Sequence, residues 1–312
     1  MVQYIGSVLC RKAYYQTESK IRKSECTALN KLYNPLFLLG TQRSGTTLLT
    51  RILSSHPRLY IQNELPMDDL FSGHLDKETL LKRITTKVFD IHSVSLPIEK
   101  GEELLWGWKE PLLTYELDVL ERCFPDSKYI LIIRDGRGVV NSYMDNRWGL
   151  GTNAYTGALR WQKEVALQMA FAKKMQGKCL TIRYEDLVQN LPEVLAQLCD
   201  FIGVEFSPQM LEFHNKKLDF QVNRENINTT KPADQSHSDK WRKALTSREI
   251  ALVELVAGRE LEANGYVLDH APISPGWLEL TYYHIHQKII GEFQLQYKWK
   301  YRDKLKKLGL VK

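Results

Sequence analysis

The 312-residue chain has no apolar run that approaches the length needed to cross a bilayer. Its most apolar stretches, such as Tyr129 to Ile133, are far shorter than the roughly 20 residues of a membrane-spanning helix. The N-terminus, beginning Met1-Val-Gln-Tyr-Ile-Gly, has no basic leader before its apolar residues, unlike a secretory signal. We therefore expect no transmembrane helix and a cytoplasmic location.

The chain also has few cysteines and a small net charge. The five cysteines are an odd number and show no Cys-x-x-Cys spacing, which disfavours a disulfide framework or a zinc site. The formal net charge is +6, but residues 298–312 alone hold seven Lys and Arg against one Asp. Residues 1–297 are balanced, with 36 basic and 36 acidic side chains. A general nucleic-acid surface is therefore not indicated, and any anion site must be local.

The remaining composition, 43% hydrophobic and 26% charged, is that of a globular protein able to bury one large core. Short apolar segments alternate with helical patterns. The predicted strands cover residues 36–39, 59–62, 106–109, 128–133 and 179–183, and the predicted helices cover 45–55, 138–144, 155–175, 192–202 and 247–264. This alternation predicts an α/β fold, in which helices cover both faces of a parallel β-sheet.

A glycine loop follows the first predicted strand. Gly40 and Gly45 are four residues apart and stand before a helix, the arrangement of a P-loop whose backbone N–H groups bind phosphate. Nucleoside triphosphatases have Lys after the second Gly, whereas this chain has Thr46. The nearest cation is Arg43, inside the loop. The loop therefore predicts phosphate binding without the lysine that serves a triphosphate, although a purely structural turn remains an alternative.

The segment Thr41-Gln-Arg-Ser-Gly-Thr-Thr-Leu-Leu49 resembles the 5′-phosphosulfate loop of the sulfotransferases that use 3′-phosphoadenosine 5′-phosphosulfate (PAPS). A second segment, Arg134-Asp-Gly-Arg-Gly-Val-Val-Asn-Ser142, is similar to the family's 3′-phosphate motif. The resemblance assigns the 5′ side of the donor to Arg43, Ser44, Gly45, Thr46 and Thr47. It assigns the 3′-phosphate to Arg134 and Ser142, since a guanidinium and a hydroxyl suit that group.

Motif spacing is most similar to that of the tyrosylprotein sulfotransferases and their bacterial relatives. The resemblance implies that Glu64 is the general base that accepts the acceptor's proton, with Asp68 and Asp69 as neighbouring candidates. It implies that Lys109 stabilises charge on the leaving oxygen. No metal is required by this arrangement. A solvated carboxylate at Glu64 and a surface ion pair at Lys109 are the structural alternatives.

Further donor contacts are implied at two positions. Tyr184 matches a residue that meets the adenine, although a packing role fits its ring equally well. Lys240 would reach the donor's phosphates if the polar segment 219–239 closes as a lid. Where the relatives have an Arg four residues after the 3′-phosphate serine, this chain has Asn146 followed by Arg147, and Arg147 is a candidate replacement.

These motifs predict a three-part chain and a reaction. We expect an N-terminal arm over 1–34, a P-loop-type sulfotransferase domain over 35–270, and a basic, amphipathic helical extension over 271–312. The predicted reaction moves a sulfuryl group from PAPS to a hydroxyl or amine of a small molecule or glycan. The alternatives are a protein-tyrosine acceptor, a P-loop kinase and an inactive nucleotide-binding scaffold.

Residues past Pro275-Gly276 show an apolar side chain at every fourth position, among many Lys and Arg. They are Ile285, Ile289, Phe293, Tyr297, Tyr301 and Leu305. This pattern predicts an amphipathic helix. It could pack on its own fold or on a second copy of the chain in a homodimer, or contact a membrane surface.

Overall fold

The structure, a computed structural model, describes residues 34–92, 104–216 and 227–297. The predicted N-terminal arm, apart from Asn34, and the basic residues 298–312 lie outside the described residues, as do Cys10, Cys26 and residues 219–226 of the proposed lid.

Five strands and eleven helices make up the described part of the chain. The strands are β1 (Leu36–Leu39), β2 (Leu59–Gln62), β3 (Leu105–Lys109), β4 (Tyr129–Ile133) and β5 (Cys179–Arg183). The helices are α1 (Thr46–Ser54), α2 (Lys77–His92), α3 (Leu117–Cys123), α4 (Gly136–Asn146), α5 (Ala154–Lys174), α6 (Tyr184–Gln189), α7 (Leu191–Ile202), α8 (Trp241–Ala244), α9 (Ser247–Ala263), α10 (Trp277–His286) and α11 (Glu292–Gln296). Short 3₁₀ turns link several of them, and a π-helical turn, Gln287–Gly291, joins α10 to α11.

The strands form one parallel sheet in the order β2-β3-β1-β4-β5. The apolar side chains of β1 explain why the sheet is covered twice, since successive residues of a strand point to opposite faces. Phe37 and Leu39 belong to one core cluster, whereas Leu36 and Leu38 belong to a second. Helices α2, α3, α5 and α9 contribute to the first cluster, and α1, α6 and α7 to the second. The predicted α/β fold is confirmed.

The predicted strands and helices agree with the structure to within one or two residues at their ends. Helix α2 was not predicted, although its sequence carries the signal. Leu80, Ile84 and Val88 recur every fourth position and are fully buried, and the Asp76 carboxylate accepts a hydrogen bond from the Thr79 N–H at 2.7 Å. The four-residue spacing and the acidic N-terminal residue are both typical of a helix start.

Candidate active site

The carboxyl ends of all five parallel strands meet at one edge of the sheet, which is where open α/β sheets bind their ligands. Glu64 lies two residues beyond β2, and Lys109 is the last residue of β3. The glycine loop follows β1, Arg134 follows β4, and Tyr184 follows β5 within α6. The strand order therefore arranges these five groups along the edge in the order glutamate, lysine, loop, arginine and tyrosine.

The glycine loop makes a tight turn into α1. Arg43 has a φ of 73° and Gly45 a φ of 101°, both in the left-handed region. A Cβ on Gly45 would lie 2.5 Å from a ring carbon of Tyr184, so the residue must be glycine for two reasons. Ser44 is buried, and its hydroxyl donates to the Thr41 carbonyl at 2.7 Å, which closes the turn. Thr46 begins α1, so its helix N-terminus faces the loop.

The second motif contacts the first directly. Arg134 donates from Nη1 to the Arg43 carbonyl at 3.2 Å, and its guanidinium lies 4.4 Å from the ring centre of Tyr184. Arg43 in turn donates from Nε to the Ser142 hydroxyl at 3.0 Å. Ser142 is on α4, the helix that follows β4, and β4 is the neighbour of β1 in the sheet. The fold thus brings two motifs about 100 positions apart into one cationic cluster.

The segment 227–241 forms the opposite wall. Arg134 donates from Nη2 to the His237 carbonyl at 2.8 Å, which fastens this segment to the end of β4. Lys240 precedes α8 and is exposed towards the cleft. Thr229 and Lys231 also line the cleft, although the sequence motifs did not single them out as donor contacts. The described part of the proposed lid therefore lies over the loop side of the site.

Between these walls is a cleft of about 1190 Å³. Of the nine residues predicted to bind the donor, all but Ser44 line it: Arg43, Gly45, Thr46, Thr47, Arg134, Ser142, Tyr184 and Lys240. Asn141 and Asn146 line it as well, whereas Arg147 does not. Arg147 is exposed and ends α4 with a φ of 52°, so the structure gives no support to its proposed role as the replacement arginine.

Glu64 and Lys109 form an ion pair between Lys109 Nζ and Glu64 Oε1. The lysine is fully buried, while the side chain of Glu64 is 53% exposed. β3 pairs with β1 so that Lys109 lies opposite Leu38, two residues before the glycine loop. Lys109 is thus ion-paired, as the structural alternative expects, but its side chain is buried rather than on the surface, and neither Lys109 nor Glu64 lines the donor cleft. Asp68 and Asp69, the other candidate bases, are both exposed.

Sequence reasoning missed Glu110, which follows Lys109 and is 4% exposed. Its carboxylate accepts from the Leu112 N–H at 3.1 Å and caps the 3₁₀ turn Pro111–Tyr115. Burial, aided by the nearby charge of Glu64, raises the pKa of Glu110 to about 7. The motif Lys-Glu-Pro drew attention to the lysine, and burial of the next carboxylate became evident only in the fold.

Comparison with known proteins identifies the protein family of this chain. The model of the sulfotransferase family matches residues 35–208, more than half of the chain. The chain belongs to the sulfotransferase family. The matched range contains both phosphate motifs, Glu64, Lys109 and Tyr184, so the resemblance that these residues suggested is confirmed.

Individual sulfotransferases show the same relationship. Protein-tyrosine sulfotransferase 1 of Danio rerio is 24% identical over 238 residues, which are 68% of this chain and 66% of the relative. Protein-tyrosine sulfotransferase 2 of Gallus gallus is 24% identical over 233 residues, covering 66% of this chain and 62% of the relative. The chain thus spans slightly less than two thirds of the length of either relative.

A solved structure supports the fold. The sulfotransferase domain from the curacin biosynthetic pathway is 23% identical, with a TM-score of 0.58, and the match covers 76% of this chain and 99% of that domain. At this level of identity the likeness concerns the fold alone. It agrees with the parallel α/β fold of this chain.

The expected cytoplasmic location is wrong. The protein-tyrosine sulfotransferases among the relatives are Golgi membrane enzymes, which conflicts with that expectation. In the ranges 34–92, 104–216 and 227–297, no helix has both the length and the apolar character needed to cross a membrane.

Proposed function

We propose that residues 35–270 form a PAPS-dependent sulfotransferase domain. We further propose that the donor lies along the sheet edge at which the carboxyl ends of the five strands meet. The observation that carries the proposal is the order of groups along that edge. The Glu64 carboxylate and the buried Lys109 ammonium lie at one end, the glycine loop is central, and Arg134 with Tyr184 lies at the other end. PAPS has a matching order, from the sulfuryl group through the 5′-phosphate to the 3′-phosphate and adenine.

The donor's two phosphates would be held by different elements. Backbone N–H groups of the glycine loop and the start of α1, with Thr46 and Thr47, suit the 5′-phosphate. Arg134 and Ser142 suit the 3′-phosphate, and Lys240 adds positive charge from the opposite wall. Tyr184 already stacks on Arg134, so its ring gives the adenine a flat apolar neighbour.

The transfer step needs a proton acceptor for the attacking hydroxyl and a cation near the leaving oxygen. We assign Glu64 as the base, because its partly exposed carboxylate is accessible to an incoming hydroxyl. The acceptor oxygen forms a bond to sulfur as the bond from sulfur to the bridging oxygen breaks, and adenosine 3′,5′-bisphosphate leaves. We assign Lys109 to that bridging oxygen, since a buried ammonium stabilises charge that develops only in the transition state.

For the acceptor, the similar proteins, which are protein-tyrosine sulfotransferases, favour protein tyrosine over the small-molecule or glycan acceptor predicted above. We therefore propose a tyrosine phenol as the acceptor class to be tested first. Family membership also favours sulfuryl transfer over the kinase alternative.

Donor identity is tested by calorimetry with adenosine 3′,5′-bisphosphate and with ATP. We expect tighter binding of the bisphosphate, without a need for Mg²⁺; tighter, Mg²⁺-dependent binding of ATP would refute the proposal. Arg134→Ala should weaken the bisphosphate by roughly 1.5 to 3 kcal/mol, the loss of a charged contact, and affect adenosine 5′-phosphate much less. Arg147→Ala is the control, because Arg147 lies outside the cleft.

Turnover is tested with PAPS and a tyrosine-containing peptide. Glu64→Gln should retain bisphosphate affinity but lose roughly 100-fold or more in kcat, as expected when a general base is removed. Asp68→Asn is the matched control, since it neutralises an exposed carboxylate four residues away. Equal losses in both variants would contradict the assignment of Glu64. Bisphosphate binding with no turnover of any acceptor would instead support the inactive scaffold.

A further inference from the structure

The helical extension packs against the body with an unusual choice of side chains. α10, the π-helical turn and α11 run continuously from Trp277 to Gln296. Surface helices normally bury their apolar stripe and expose their polar one. Here much of the inward face is polar and most of the outward face is apolar.

Polar contacts hold the inward face. The Gln287 amide donates to the Gly149 carbonyl at 2.7 Å and accepts from the Thr152 N–H at 2.8 Å. Gln294 accepts from the Gly149 N–H at 3.1 Å. Arg248 on α9 makes a two-point contact with Glu279, at 3.0 and 2.5 Å. Specific side-chain amides and an ion pair therefore fix which face of the helix points inward.

The outward face is large and apolar. Its side chains are each between 51% and 73% exposed: Trp277, Leu278, Tyr282, Ile285, Ile289 and Phe293. Spacings of three and four residues place most of them in one stripe. Lys288 and Glu292 are the charged residues exposed beside it within 277–297. Within the described ranges, packing of the helix on its own fold leaves this stripe exposed.

Charge identifies the partner. The stripe leads directly into residues 298–312, which carry seven Lys and Arg and one Asp, while the rest of the chain is balanced. A second copy would carry the same positive charge in its residues 298–312, and like charges repel. An anionic bilayer instead attracts basic residues and accepts aromatic and aliphatic side chains at its headgroup boundary.

We propose that the outward face of residues 277–297 is a membrane-binding surface for anionic phospholipids. The aromatic and aliphatic stripe enters the headgroup boundary, and the basic segment that follows binds the charged headgroups. Two weak signals act together, as stable peripheral attachment requires. The inward polar contacts leave the stripe exposed. They also hold the helix beside Gly149, which lies three residues after the end of α4. Residues of α4 line the donor cleft.

The test is co-sedimentation of the full chain with phosphatidylcholine vesicles, with and without phosphatidylserine. We expect binding to the anionic vesicles that weakens as salt rises. The double variant Ile285→Glu/Phe293→Glu should lower the partition coefficient by roughly 100-fold, since two buried apolar side chains are replaced by like-charged ones. The control Leu255→Glu/Val267→Glu makes the same charge change at exposed apolar positions outside the helix and should bind as the wild type does.

A second readout uses the wild-type chain. Brominated anionic lipids should quench tryptophan emission, and Trp277→Phe should lose much of that quenching. Absence of vesicle binding by the wild type would overturn the proposal, as would equal binding by the double variant and the control. A wild-type dimer that the double variant dissociates, without vesicle binding, would assign the stripe to a second copy and also overturn it.

Discussion

The turn at Gly45 depends on a residue without a side chain, because its backbone is left-handed and its α-carbon faces Tyr184. Two effects can be separated by comparison with Gly73, which has a φ of 70° but nothing within 4 Å of the position that a Cβ would take. A substitution at Gly73 would introduce backbone strain alone, whereas a substitution at Gly45 would introduce both backbone strain and a steric clash with Tyr184.

Gly45→Ala should therefore destabilise the fold by roughly 1 to 3 kcal/mol and abolish measurable bisphosphate binding. Gly73→Ala should cost only the backbone strain and leave binding unchanged. Urea denaturation and calorimetry on both variants check this. Normal bisphosphate affinity in Gly45→Ala would show that the loop does not need its observed conformation.

Glu110 should make stability depend on pH. Burial raises its pKa from 4.5 to about 7 in the folded protein, so between these values the folded state holds a proton that the unfolded state releases. The free energy of unfolding therefore falls as pH rises from 4.5 to 7, by about 3 kcal/mol in full.

Glu110→Gln should flatten this part of the pH profile and raise stability at pH 8 relative to the wild type. Urea denaturation between pH 4.5 and 8 measures it. Glu193→Gln, at an exposed position on α7, is the control. A variant whose stability falls as steeply with pH as that of the wild type would remove Glu110 as the cause.

At the scale of elements, α4 is joined to α8 and α9 by a buried ionic cluster. Arg137 on α4 contacts Asp135 at 2.8 Å and Glu254 on α9 at 2.6 Å, and all three are buried. The Arg137 guanidinium also lies 4.1 Å from the ring centre of Trp241 in α8. Because Lys240 precedes Trp241, the cluster holds one wall of the donor cleft in place.

Arg137→Met should cost about 3 to 5 kcal/mol, since it leaves two buried carboxylates without their cation. It should also weaken bisphosphate binding through the displaced α8. Arg248→Met breaks an exposed arginine–glutamate pair and should have a much smaller effect on stability. Similar losses in the two variants, measured by urea denaturation, would contradict a special role for burial.

At the scale of the whole molecule, the donor cleft joins the sheet edge to the segment 227–241, so a bound nucleotide should stabilise both. Saturating bisphosphate, at about 100 times its dissociation constant, should add about 2.7 kcal/mol to the free energy of unfolding. Thermal denaturation with and without the ligand measures this. At equal ligand concentration, Lys240→Ala should show a smaller rise in Tm than Lys243→Ala, which changes a lysine outside the cleft.

Much of the fold could be predicted from the sequence, since its signals are local. Residues 36–39 and 129–133 are continuous apolar runs, and glycine or charged residues mark where each ends. Helix α2 was missed despite an equally regular pattern. The glycine loop could be predicted because its spacing reflects a backbone requirement that does not depend on distant residues, whereas the second motif was identified through its resemblance to the family's 3′-phosphate segment.

Local sequence patterns and the motif resemblance were enough to predict the parallel α/β fold, the family and the candidate donor residues. The fold was needed to show that Lys109 and Glu64 form an ion pair, that Glu110 is buried beside them and that Arg147 lies outside the cleft. The same is true of the extension, whose pattern predicted an amphipathic helix but not which side faces out. Periodicity sets which residues share a face, whereas contacts such as those of Gln287 with Gly149 choose the face that is buried.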